Sequence, residues 1–213
     1  MEQNIIDLIT KRVREELVRE FLIPVEVSAR HVHLSKEHIC ELFGYEYELA
    51  KKKDLSQPGQ FQYNERIMLI GPKGVLGGVA VLGPPRYKTQ VEITRTDAFA
   101  LGIDPPVRDS GDLGKSGTLF IAYDKSIVKG EESVIIAKRH IHMTKKDSQR
   151  FNVHDKQVVS VKIYGQRPLI FEDVLVRVSD SYALRMHIDF DEANASGSTD
   201  GTVCTIYEAS AED

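Results

Sequence analysis

The sequence contains two copies of one short motif, Arg-His-x-His, and each copy ends an apolar run. The copies lie within residues 25–35 and 134–144, so the second follows the first after 109 positions. Side chains alternate between the two faces of a strand, so the two histidines of each copy point the same way. Two imidazoles on one face can bind one metal ion, and the duplication therefore predicts two metal half-sites. Their histidines are His31, His33, His140 and His142.

A second duplication, at an offset of 95 positions, supplies a third candidate ligand to each half. It aligns residues 91–102 with residues 186–197, and each stretch reads as a strand followed by a short helix that a glycine stops. Glu92 then falls on His187, and both side-chain types bind divalent metals. Three protein ligands with a fourth position open are typical of catalytic zinc. The two predicted ligand groups are His31, His33 and Glu92, and His140, His142 and His187.

Composition restricts the class of protein and its partners. A chain of 213 residues that is 41% hydrophobic can bury a core, and its repeat predicts two domains of about 100 residues. A net charge of −4 gives no reason to expect nucleic acid as a partner. Two cysteines, Cys40 and Cys204, cannot form a disulfide framework, which favours a reducing cytoplasm. The N-terminus has no signal-type apolar core and no run approaches the roughly 20 residues that span a bilayer, so we expect a soluble protein with no membrane partner.

Beyond Pro24, short runs rich in valine, isoleucine and aromatic residues alternate with turn-forming residues, which predicts strands. The predicted strands are 66–70, 79–82, 118–123, 158–163, 169–178 and 203–207. Short helices are predicted after Ser35, after Thr144, near 97–101 and near 191–195. The pattern indicates a mainly β protein of two small β-barrels with helical caps. We expect a helix in 1–23, the first barrel in 24–133 and the second in 134–213, connected through 124–133.

The N-terminal segment is the one long helical pattern. Apolar residues recur there at intervals of three and four positions, between charged residues. The apolar positions are Ile6, Ile9, Val13, Leu17 and Phe21. We favour a helix packed on its own protein or on a second copy in a homodimer. The alternative is a detachable tag that docks on another protein.

A proline-rich segment precedes the predicted ligand Glu92. Gly83, Pro84 and Pro85 predict a rigid turn that fixes the direction of Arg86 and places it near the metals. A guanidinium group binds a phosphate or carboxylate through two parallel hydrogen bonds. A small oxyanion is therefore the predicted ligand of Arg86, and pairing with a structural carboxylate is the alternative.

With these motifs taken together, the chain resembles the PduL-type phosphotransacylases, the phosphate propanoyltransferase family, over roughly residues 24–208. The doubled Arg-His-x-His strands, the Gly-Pro-x-Arg segment, the Gln-Val-Glu-Ile segment and His187 occur in the family's order. The resemblance implies two β-barrels, with strand 25–28 pairing into the second, and two Zn²⁺ ions between them. It also implies Arg86 as the phosphate arginine, with Ser110 near phosphate and Asn194 near the metals.

The activity that the resemblance implies is exchange between acyl-CoA plus phosphate and acyl phosphate plus coenzyme A, with propanoyl or acetyl groups. Neither cysteine lies in an activating motif, so direct attack by phosphate is simpler than an acyl-enzyme. The expected location is the cytoplasm. The resemblance also implies an association with bacterial microcompartments, whose shell or core proteins would bind the N-terminal helix if that helix is a docking tag. Two other classes use the same ligands: a dinuclear thioesterase or phosphoesterase, and a non-catalytic cupin-like metal-binding module.

Overall fold

The computed structural model describes residues 20–207. In chain order its strands are β1 Ile23–Ser28, β2 His31–Ser35, β3 Lys51–Asp54, β4 Phe61–Ile70, β5 Val75–Arg86, β6 Gln90–Glu92, β7 Val107–Arg108, β8 Gly117–Tyr123, β9 Ser126–Ala137, β10 His140–Met143, β11 Val158–Ile163, β12 Leu169–Val178, β13 Arg185–Asp189 and β14 Val203–Tyr207. The helices that lie wholly within these residues are α1 Lys36–Phe43, α2 Arg95–Leu101, α3 Lys145–Arg150 and α4 Phe190–Ser196. The helix predicted for residues 1–23 lies almost entirely outside the described residues.

The strands form two closed six-stranded barrels, which confirms the predicted fold class. The first barrel runs in the order β4-β5-β2-β6-β9-β8 and closes on β4, with β3 and β7 added at β4 and β9. The second barrel runs in the order β1-β13-β10-β12-β11-β14 and closes on β1. All six predicted strands lie within or coincide with observed ones. None of the described helices is long and apolar enough to cross a membrane.

The two barrels repeat one pattern of pairing. In the first, β2 pairs antiparallel with β6 and parallel with β5; in the second, β10 pairs antiparallel with β13 and parallel with β12. The strands that contain the third candidate ligands, β6 and β13, each have a parallel neighbour as well. That neighbour is β9 for β6 and β1 for β13. Strand β1 therefore completes the second barrel although it precedes β2 in the chain.

Residues 124–133 differ from the expected connection between the halves. They form the β8–β9 turn and the first eight of the twelve residues of β9, which pairs antiparallel with β8 inside the first barrel. The charged residues that indicated a linker are mostly on the outer face of this strand, where water solvates them. Alternation between buried and exposed positions, such as buried Val128 beside exposed Lys129, is the strand signal in this segment.

Each barrel has its own apolar core, built from side chains on the inward faces of its strands. The first core includes Ile67, Leu69 and Val81, and the second includes Ile141, Val176 and Met186, all at most 1% exposed. Burying one such side chain stabilises the folded state by about 1.5–3 kcal/mol. These cores hold β2 and β10 rigidly, because the residues between the paired histidines, Val32 and Ile141, are fully buried.

Short helices cap the barrels where the sequence predicted them. Thr94 and Asp97 form a capping box at the start of α2, and Asp189 and Glu192 form the same arrangement at the start of α4. Each of these two helices ends at a glycine in the left-handed conformation. An arginine from the histidine motif contacts each box: Arg30 pairs with Asp97 at 2.8 Å, and Arg139 pairs with Glu192 at 3.0 Å.

A glycine in each barrel lets a strand end approach the cap helix. A Cβ atom at Gly71 would overlap the carbonyl oxygen of Leu101 and lie 2.8 Å from its Cβ, and a Cβ at Gly165 would overlap the carbonyl oxygen of Ser196. Both obstacles include backbone atoms, which cannot rotate away as a side chain would. The closeness of cap and barrel therefore depends on these two positions.

We predict that Gly71→Ala destabilises the protein by about 1–3 kcal/mol, because the added methyl group pushes α2 off the first barrel. The melting temperature should fall by about 2–4 °C for each kcal/mol. Gly114→Ala is the control, since its Cβ would meet no atom within 4 Å. Equal melting temperatures for the two variants would show that the cap adjusts without cost.

Candidate metal centre

The paired histidines lie side by side on one strand in each barrel. His31 and His33 in β2 have ring centroids 5.3 Å apart, and His140 and His142 in β10 have ring centroids 4.6 Å apart. The neighbouring antiparallel strand brings the third side chain opposite the first histidine of each pair. Glu92 is the register partner of His31, and His187 is the register partner of His140.

The ligand atoms in each group lie within 4.8 Å of one another. The groups are His31, His33 and Glu92, and His140, His142 and His187. This is the grouping that the two offsets in the sequence predicted. A separation of this size suits three ligands around one metal ion.

The first histidine of each pair is held in a defined tautomer. His31 Nδ1 lies 2.8 Å from the carbonyl oxygen of Ala29, and His140 Nδ1 lies 2.8 Å from that of Lys138. A carbonyl oxygen only accepts hydrogen bonds, so each Nδ1 carries the proton. The Nε2 lone pair is therefore free to bind a metal, as in sites where a backbone carbonyl orients a histidine ligand.

Several buried imidazole nitrogens have no protein partner. Within residues 20–207 they are His33 Nδ1 and both ring nitrogens of His142. A buried polar atom without a partner costs about 1–3 kcal/mol, and a ligand bound to these atoms would offset that cost. A bound metal ion would satisfy one nitrogen on each ring, and both groups fit that role.

Burial keeps most of these histidines neutral, the form that binds metal. Desolvation lowers the pKa of His33 and His187 well below the usual histidine value, lowers that of His140, and lowers that of His142 to about 3. His31 differs, because burial lowers its pKa but Glu92, with Oε2 at 3.5 Å from His31 Nε2, outweighs burial and raises it. Burial also opposes ionisation of Glu92, yet His31 holds the pKa of this carboxyl below its usual range.

A hydrogen-bond network orients Glu92. Gln90, which is 1% exposed, donates from Nε2 to Glu92 Oε1 and to Ser110 Oγ, and its Oε1 accepts from the Gly111 amide at 2.8 Å. Ser110 Oγ donates to Glu92 Oε1 at 3.1 Å. Both partners therefore bind the same carboxylate oxygen. The other oxygen, Oε2, stays available beside His31 for a metal ion.

The same network fixes Arg86. Its Nη1 donates to Ser110 Oγ at 3.0 Å, so Ser110 accepts from Arg86 and Gln90 while it donates to Glu92. These three bonds use the full capacity of a hydroxyl group. Arg86 is the last residue of β5. Gly83-Pro84-Pro85 belongs to the same strand and is not the predicted turn, and its Gly83–Pro84 peptide is cis. The arginine still lies near the candidate ligands.

Both ligand groups line one cleft of about 380 Å³ between the barrels. Arg86, Ser110, Gln57, Arg177 and Tyr182 also line it. Gln57, in the loop between β3 and β4, donates to the carbonyl oxygen of Ala183 at 3.0 Å and accepts from the Ala183 amide at 3.1 Å. This pair of bonds joins the first barrel to the loop before β13. Tyr182 stacks on His142 with ring centroids 4.2 Å apart.

Other residues considered in the sequence lie elsewhere. Asn194 is exposed in α4 and does not line the cleft, so the structure does not bring it to the candidate ligands. Cys40 is half-buried in α1 and Cys204 is fully buried in β14, and neither lines the cleft. The exposed strand β3 contains a run of three lysines.

Sequence reasoning missed Gln90, Arg177, Gln57 and Tyr182. Gln90 could have been found, because it lies two positions before Glu92 and so shares a face of the same strand. Arg177 is the parallel register partner of His142, which only the strand pairing shows. Gln57 and Tyr182 lie in loops, where no periodicity indicates direction.

Comparison with known proteins shows which family the chain belongs to. The sequence profile of the phosphate propanoyltransferase family matches residues 24–199. The chain belongs to the phosphate propanoyltransferase family. A phosphate propanoyltransferase from Alkaliphilus metalliredigens is 54% identical over 200 residues, which cover 94% of each chain. Those from Clostridioides difficile and Thermotoga maritima are 50% and 52% identical, over 97% and 96% of this chain and 99% of each relative. Relatives with this name are acyltransferases, and this family member is an enzyme of that class.

In this phosphate propanoyltransferase family member, we predict that Gln90→Met lowers the free energy of unfolding of metal-free protein by about 1–3 kcal/mol. Methionine keeps the size of glutamine but leaves the Gly111 amide without its partner. Gln149→Met is the matched control, since Gln149 is exposed in α3. Urea unfolding in the presence of a chelator measures both, and equal values would mean that water replaces the amide of Gln90.

Proposed function

We propose that the chain transfers a short acyl group, propanoyl or acetyl, between coenzyme A and inorganic phosphate. The observation that carries this proposal is one cleft lined by two three-ligand groups and by an arginine whose direction is fixed through Ser110. The family named for transfer of a propanoyl group to phosphate supports the same reaction.

Each ligand group is proposed to bind one divalent ion. Five of the six ligands are imidazoles, which favours zinc over magnesium or calcium. When bound, zinc supplies Lewis acidity that stabilises a departing thiolate and negative charge on oxygen. The groups differ in charge, because Glu92 in the first group is ionised whereas all three ligands of the second are neutral. The second site therefore leaves more of the cation's charge to the substrate.

Arg86 is proposed to bind phosphate. Its Nη1 donates to Ser110, which restricts the direction of the guanidinium, and the remaining N–H groups can bind two phosphate oxygens at once. Phosphate held in the cleft can attack the carbonyl carbon of the thioester, so that a C–O bond forms and the C–S bond breaks. The sulfur leaves as the thiolate of coenzyme A.

The direct attack needs no protein nucleophile. Cys204 is buried in the second core, where burial raises the pKa of its thiol above the usual range, and Cys40 lies outside the cleft. Gln57 lines the cleft, and its two hydrogen bonds to Ala183 join the first barrel to the loop before β13 at this place. The homodimer expected from the N-terminal helix and the microcompartment partners implied by the resemblance stay predictions, which the native mass and co-purification with shell proteins would test.

We predict that purified protein releases free thiol from propanoyl-CoA only when phosphate is present, with acetyl-CoA also accepted. Phosphate is the nucleophile, so thiol release and acyl phosphate formation should occur in equal amounts. A thiol-reactive dye and a hydroxamate assay measure the two products. Thiol release at the same rate without phosphate would identify a thioesterase instead, and no release with either substrate would indicate a non-catalytic protein.

We predict two zinc ions per chain, because there are two separate ligand groups. Changing His31 and His33 to alanine should remove one ion and leave the other, and so should changing His140 and His142. His154→Ala is a control, because His154 is exposed, belongs to neither group and does not line the cleft. Metal analysis by mass spectrometry counts the ions. One ion that survives both double substitutions would disprove the ligand assignment.

A further inference from the structure

Arg177 in β12 is a half-buried arginine of the cleft that has no polar partner. Within residues 20–207 its guanidinium makes no salt bridge or hydrogen bond. The guanidinium carbon lies 6.0 Å from the centroid of the Tyr182 ring. By contrast, six other arginines of the described chain pair with a carboxylate: Arg30, Arg95, Arg108, Arg139, Arg150 and Arg185. A half-buried charge without a protein partner is solvated less well than an exposed one, and an anionic ligand would supply the missing partner.

The repeat shows that the barrel itself does not need this arginine. In the first barrel the parallel register partner of His33 is Leu82, and in the second the partner of His142 is Arg177. Leu82 also lines the cleft. Because the equivalent strand β5 has a leucine at the equivalent position, the fold does not dictate a charged side chain at position 177. The arginine is therefore available to bind a ligand.

The carboxylates that line the same cleft already have other partners. Glu92 is bound by Gln90 and Ser110 and faces His31, and Glu26 lies 3.7 Å from Arg185. Arg86 reaches the cleft from the first barrel and Arg177 reaches it from the second. Burial lowers the pKa of Arg86, and the charge of Arg177 lowers it further against the opposing effect of Glu92. Two like charges that sense each other in one cleft are stabilised when an anion lies between them.

We propose that Arg177 is a second phosphate-binding residue, which holds the anion from the second barrel while Arg86 holds it from the first. The ligand is a phosphate dianion, either inorganic phosphate or the phosphoryl end of an acyl phosphate, whose several oxygens can serve two guanidinium groups. The inference rests on the proposed phosphotransacylase function and adds a residue to it. The strands of Arg177 and Arg86 occupy equivalent places in the two barrels. A phosphate bound by both arginines would therefore link the barrels.

The test compares Arg177→Gln with Arg167→Gln in zinc-loaded full-length protein. Arg167 is exposed and outside the cleft, so its substitution changes the net charge equally without touching the site. Calorimetric titration with inorganic phosphate measures binding without turnover, and kinetics give KM for phosphate and for propanoyl-CoA. Arg177→Gln should raise the Kd and KM for phosphate about tenfold or more and leave KM for propanoyl-CoA unchanged. Arg177→Lys should lie between, because a point charge remains.

Phosphate affinity equal in Arg177→Gln and Arg167→Gln would overturn the inference. So would a higher KM for propanoyl-CoA with unchanged phosphate affinity, because the arginine would then bind the coenzyme. If Arg177→Gln does not fold, Arg177→Lys decides by the same phosphate titration. A wild-type protein that releases thiol without phosphate and binds none would instead refute the proposed function, and the inference with it.

Discussion

The site depends on the register between two antiparallel strands in each barrel. Pairing of β2 with β6 sets Glu92 opposite His31, and pairing of β10 with β13 sets His187 opposite His140. A slip of one residue would turn the third ligand to the other face of its strand and break the group. Buried Val91 and Met186, which directly precede the third candidate ligands, hold this register, because the same slip would expose them. The apolar core and the candidate metal groups are thus maintained by one set of strand pairings.

The fold class, the cap helices and the spatial grouping of the candidate ligands could be predicted because their signals are local or repeated. Alternation of apolar residues marks a strand within five or six positions, and Ser35 or Thr144 marks a helix start within four. The third ligands were accessible because the repeat aligns Glu92 with His187. Because each candidate ligand has a counterpart in the other half of the sequence, the candidates can be distinguished from His38 and His154, which lie outside both duplicated segments.

Features that depend on distant pairing could not be predicted in the same way. Residues 124–133 read as a charged linker, yet pairing with β8 makes them part of a barrel strand. Gly83-Pro84-Pro85 reads as a turn, yet it lies at the end of β5. No local pattern distinguishes Arg177. Its position beside His142, and the leucine at the equivalent position 82, appear only in the strand pairing. The resemblance placed Asn194 near the metals, whereas the described side chain is exposed outside the cleft.

The position of β1 gives the chain a nearly circular path. Ile23 pairs with Cys204, so the first and last described strands are antiparallel neighbours. A permuted chain could therefore join these two strands by a short loop and begin instead at the β8–β9 turn. In that order β10 to β14 and β1 would follow one another without interruption, and the first barrel would be the one completed by a strand from the far end, β9. The barrel that is completed by a strand distant in sequence is thus determined by the position of the chain termini and not by the arrangement of the strands in space.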